Sequence, residues 1–129
     1  MKDLIYAQTT TKEFSQALTD FKDNLSQRKF GVLWELNFKD KLQEKGQDFD
    51  KNFVILEVCN PPQAKKVLDL KLEAGYMLPC KMAIYEKDGL VHLGMMRPEQ
   101  LVSLMGEDDL IPVGAEVEKT LREAIDATI

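Results

Sequence analysis

The hydrophobic pattern of this chain switches repeatedly between a period of two and a period of about 3.6, and each switch marks a strand meeting a helix. Residues 4–10 read as a first strand. Thr10, Thr11, Lys12 and Glu13 then have the spacing of a capping box, in which a hydroxyl and a carboxylate satisfy the first free N–H groups of a helix. That helix is predicted to run to about Lys29, with Phe14, Ala17, Leu18, Phe21 and Leu25 on one face and with Arg28 and Lys29 at the negative end of its dipole. After Gly31 the period returns to two, placing Val32, Trp34, Leu36 and Phe38 on one face of a strand and Glu35 and Asn37 on the other. Residues 39–51 are polar and include Gly46, so a loop with one short helical turn around Leu42 is expected there.

Residues 53–59 form a third strand, rich in β-branched and aromatic side chains. Asn60 can cap a following helix and Pro61 suits its first position, where the missing N–H has no partner to lose. Ala64, Val67 and Leu68 supply the apolar face of that helix. Residues 81–96 read as a hairpin turned by Asp88-Gly89, which sets Tyr85 opposite His92, Ile84 opposite Leu93, Met82 opposite Met95 and Cys80 opposite Arg97. Pro98 opens a helix with Leu101, Leu104 and Met105 inward and Gly106 as its stop. A last helix from about Gly114 carries Val117, Leu121 and Ile125 on one side. The order β α β β α β β α α predicts an α+β fold: a two-layer sandwich in one domain, residues 1–129, with a mainly antiparallel sheet and helices packed on one face.

Composition narrows the function classes. With 44% hydrophobic and 30% charged residues the chain fits neither disorder nor a membrane protein, and its apolar runs fall far short of the ~20 residues of a membrane helix. The amino terminus has no apolar signal region, so a cytoplasmic location and two free thiols are expected. The net charge is -5, and the acidity lies from Pro98 onward, where eight acidic residues face only Lys119 and Arg122. Lysines elsewhere alternate with acids and make no basic stripe, which argues against nucleic acid as a partner.

Cys59 and Cys80 are the candidate chemistry. One ends a strand and the other begins the next, so antiparallel pairing of the two strands would bring both thiols to the same end of the sheet. The helix start after Cys59 and Arg97 opposite Cys80 would favour thiolates. Pro61 and Pro62 remove two backbone donors from that helix start, and Glu57 opposes an anion at Cys59. The same pattern also fits two small buried apolar residues. Met77, Met82, Met95, Met96 and Met105 could extend a soft site, but several take core-facing positions, where methionine fills gaps. His92 lies on a half-exposed strand beside Tyr85 and reads as a surface residue. No hydrolase, phosphate-loop, nucleotide or zinc motif occurs, so no catalytic residue, metal or cofactor is predicted and the balance is against an enzyme.

These phrases together resemble the domain-of-unknown-function 302 family over nearly the whole chain. The likeness lies in the strand entering Cys59-Asn60-Pro61 with Ala64 following, Leu78-Pro79-Cys80 leading into a strand, the Asp88-Gly89 hairpin and the acidic last helix. The resemblance implies a compact bacterial or archaeal α+β domain that assembles as a homodimer, and thiol or persulfide handling that would fall on Cys59 and Cys80. Pro62, doubling the proline after Asn60, and the irregular stretch 72–77 depart from the family pattern. The expected function is a non-enzymatic homodimeric module binding a small molecule or protein partner near Cys59, Asn60, Cys80 and Arg97. The alternative is a thiol-active protein in sulfur transfer or redox sensing through Cys59 or Cys80.

Overall fold

The computed structural model describes residues 3–129. Five strands, β1 (Ile5–Thr10), β2 (Gly31–Asn37), β3 (Phe53–Cys59), β4 (Cys80–Lys87) and β5 (Leu90–Met96), form one open antiparallel sheet in the order β1, β5, β4, β3, β2. The helices are α1 (Phe14–Gln27), α2 (Phe38–Glu44), α3 (Pro61–Leu70), α4 (Pro98–Ser103) and α5 (Ile111–Thr128), and a 3-10 segment, Leu72–Met77, joins α3 to β4. The fold is thus α+β.

Alternation along the strands divides the sheet into a covered and an open face. Val54, Leu56 and Val58 of β3, with Met82, Ile84 and Leu93, are buried beneath Phe21 and Leu25 of α1 and Leu121 and Ile125 of α5. The hairpin has the expected register, because Asp88 and Gly89 both take the positive φ that a two-residue turn requires. Asn60 caps α3 by accepting from the Gln63 N–H at 3.2 Å, with Pro61 and Pro62 in the first turn.

Several local expectations are corrected. The capping box does not form: α1 starts at Phe14, Glu13 is its N-cap and accepts from the Gln16 N–H, and Thr10 accepts from the Lys12 N–H in a turn instead. Val32 and Trp34 do not share a face. The register shifts between them, leaving Leu33 as an extra residue, so Val32 packs on the core while half-exposed Trp34 and its neighbour Leu36 turn to the open face. Glu35 consequently points to the helices, where Lys22 of α1 pairs with it. Phe38 opens α2 rather than ending β2, which adds a helix to the predicted order. Around α4, Pro98 and Val102 are buried and Leu101 and Met105 half-buried while Leu104 is exposed, and α5 begins before Gly114.

Gly114 extends the buried stripe of α5 and lets α4 cross it closely. A Cβ there would lie 2.6 Å from Val102 Cγ2, far inside contact distance. Gly114→Ala is therefore expected to cost about 1–3 kcal/mol by urea denaturation, despite alanine's higher helix propensity. Adding Val102→Ala removes the obstructing methyl, so the double variant should recover part of the loss. A net gain for Gly114→Ala alone would show that the close approach is unimportant.

Candidate functional site

The end of the sheet where β4 begins is not closed by the main core. The 3-10 segment and α4 build a second, smaller apolar cluster around Val67, Ala74, Val102 and Leu110. Between the two clusters lies a cavity of about 320 Å³. Its roof comes from Ala74 and Met77 of the 3-10 segment and Leu101 of α4, and its far wall from Val113 and Val117 of α5. The sheet contributes Cys80, Met96 and one charged pair, Glu57 and Lys81. Those two charges are adjacent across β3 and β4 with 3.9 Å between Oε1 and Nζ, a loose contact that leaves both able to meet a polar group.

Cys80 forms part of the wall between this cavity and a small void of about 30 Å³ that also touches Cys59, Asn60, Gln63 and Phe30. A space of that size admits one water molecule. Gln63 is one of the residues lining the void, and its Oε1 is buried with no hydrogen-bond partner. The Leu78–Pro79 peptide bond leading to Cys80 is cis.

Of the four residues singled out from the sequence, the structure brings three together. Val58 pairs with Cys80, so Cys59 and Asn60 lie beside it at the same sheet end. Both cysteines are free. Arg97 is engaged elsewhere: its Nε donates to Glu118 Oε2 at 3.0 Å and its Nη1 to the Asp3 carbonyl at 3.0 Å. Burial, with a smaller contribution from Cys59, pushes the Cys80 thiol up to about 11. Near neutrality that burial favours the neutral thiol at Cys80.

Met82 and Met95 pack in the core, whereas Met77 and Met96 line the cavity. His92 stacks on Tyr85 with ring centroids 5.0 Å apart, and Tyr85 on Phe53 at 5.1 Å, all on the open face of the sheet. Among the described residues no group of three or more His, Cys, Asp and Glu side chains could hold a metal ion. No described helix is long and apolar enough to cross a membrane. The cavity residues that sequence reasoning misses as a site, Val67, Leu101 and Val117, carry in the pattern only the signature of inward-facing positions. Inwardness is what periodicity reports; it does not say whether the facing layer reaches them.

The family model described as "Domain of unknown function DUF302" matches residues 6–128. A crystal structure described as "uncharacterized conserved protein DUF302 from Bacillus stearothermophilus" is similar at 38% sequence identity, with a TM-score of 0.94 and 98% of each chain covered. No curated protein matches the chain.

Proposed function

The chain belongs to the DUF302 family, and within it we propose a non-enzymatic, cytoplasmic, homodimeric module that binds a small, mainly apolar molecule beside Cys80. The observation that carries this reading is the cavity of about 320 Å³ at the sheet end, whose size lies at the lower end for ligand pockets and whose lining is apolar except at one edge. A ligand with an apolar body and one polar end fits it. The body displaces poorly bonded water from Val67, Leu101 and Val117, and the polar end meets Glu57 and Lys81. The neutral state of Cys80 supports binding over sulfur transfer, since the thiolate is the nucleophile.

The apolar fluorophore 1-aminoanthracene tests this reading. Its fluorescence is expected to report one saturable site per chain, and Leu101→Trp, which fills the cavity from α4, should weaken binding at least tenfold while leaving the melting temperature within a few degrees. Unchanged binding in Leu101→Trp, or an absence of saturable binding to the wild type, rejects the cavity as the site.

A further inference from the structure

Helices α1 and α5 cover one face of the sheet, and the other face is mostly apolar, with Phe38 of α2 edge-on to its Phe53 at 5.8 Å. Its surface has relief in rows that run across the strands. Ala7, Gly94 and Ala83 are successive cross-strand partners and form a shallow trough floored by small residues. Two residues along, His92, Tyr85 and Phe53 are cross-strand partners too, and their stacked rings make a ridge beside that trough. Two residues from the trough on its other side, toward the start of β4, lie Glu57 and Lys81, opposite in sign and adjacent.

We propose that this face docks on the same face of a second copy of the chain, ridge into trough, and that the partner thereby walls the sheet-side edge of the cavity beside Cys80. A two-fold axis lying between the faces, parallel to the rows and midway between ridge and trough, exchanges the two rows. Because such an axis keeps position along the rows, His92 and Tyr85 of each copy enter the trough over Gly94 and Ala83 of the other while Phe53 meets Ile55, and the contact is the same from both sides, as a symmetric dimer requires. The available area is sufficient in scale. Five strands about 4.8 Å apart and about 20 Å long present about 500 Å² in plan, of the same order as the about 800 Å² of accessible surface that each partner loses in a stable complex.

Lys81 and Met96 line both the open-face groove and the cavity. A copy seated on the groove thus borders the cavity at the edge that carries the polar pair. This part of the inference rests on the small-molecule reading. Occupancy and dimerisation are consequently coupled, and the coupling is reciprocal.

Sedimentation velocity from 1 to 100 µM on the full chain tests the interface. The wild type is expected to be a dimer and Ala83→Glu a monomer of unchanged melting temperature, since the new carboxylate falls in the trough. Tyr85→Lys, on the ridge, provides a second variant should Ala83→Glu fold poorly, and Leu72→Glu, exposed on the 3-10 segment away from the face, should stay dimeric. A monomeric wild type, or a dimer that both face variants leave intact, overturns the proposal. The dimer should bind 1-aminoanthracene at least about fivefold more tightly than the monomeric variant. Equal affinity in the two rejects the closure of the cavity. A dimer disrupted by both face variants that binds no probe supports the interface, while rejecting both the closure and the small-molecule reading.

Discussion

Glu118→Ala should destabilise the fold by about 3–5 kcal/mol, the cost of breaking a buried charge network by removing one partner. Glu118 is 3% exposed and sits on α5 with three sets of donors around it. Arg97 Nε lies 3.0 Å from Oε2, Arg122 Nε and Nη2 lie 2.9 and 2.8 Å from the same oxygen, and the Glu99 N–H at the start of α4 lies 3.2 Å from Oε1. The carboxylate therefore ties the end of β5 and the start of α4 to α5. Arg97 also holds β1 beside it, donating its own backbone N–H to the Leu4 carbonyl. Alanine leaves two guanidinium groups facing each other without an anion and an unpaired helix N–H. Their partial exposure, 21% and 38% of the side chains, places the expected loss toward the lower part of the range. Urea denaturation provides the measurement. A loss below about 1 kcal/mol would mean that the network behaves as an ordinary solvated surface pair. Combining Glu118→Ala with Arg97→Met should cost less than the sum of the separate changes, because the second substitution removes one stranded charge.

The second large effect is a loss of stability in alkali that originates at Cys80. Its thiol, ordinarily near 9.0, titrates at about 11 in the fold because burial penalises the thiolate. Below pH 9 both folded and unfolded chains keep the proton, and the contribution is fully present. From about 9 upward the unfolded chain releases the proton while the folded chain holds it, so rising pH favours unfolding until the folded thiol also titrates. The expected loss from this group is about 2–3 kcal/mol by pH 11. Tyr6 also titrates high, chiefly because its hydroxyl donates to Asp126 at 2.6 Å, so the group must be isolated by difference. The stability of Cys80→Val measured against pH from 8 to 11 should fall by that much less than the wild type. Parallel slopes for the two proteins would contradict the raised thiol. Iodoacetamide labelling of folded Cys59→Ser, which leaves Cys80 as the sole thiol, should correspondingly remain slow up to pH 9.

Legibility in the sequence followed the range of the forces involved. Asp88-Gly89 fixed the hairpin register because positive φ at both residues is a property of two adjacent positions. Asn60-Pro61 fixed the start of α3 in the same way, through one side-chain acceptor and one absent donor. The stripe through Val117, Leu121 and Ile125 identified the face of α5 that is buried. Where two local solutions competed the sequence misled: Thr10 and Glu13 each can accept from a helix start, and the position of Phe14 in the core selected Glu13. The bulge at Leu33 was equally hidden, since an apolar residue fits either side of an edge strand.

The sequence by itself determined the strands of the antiparallel sheet, the buried stripes of α1 and α5 and the proximity of Cys59, Asn60 and Cys80, because these follow from periodicity and from short connections. Only the tertiary structure decided that Arg97 serves Glu118 instead of a thiol, that α4 and the 3-10 segment leave a cavity over Cys80, and that the outer face of the sheet has a ridge beside a trough. Each of those depends on which distant side chain arrives first at a charge, or on how far two packed layers stand apart, and neither quantity is encoded in the spacing of residues along the chain.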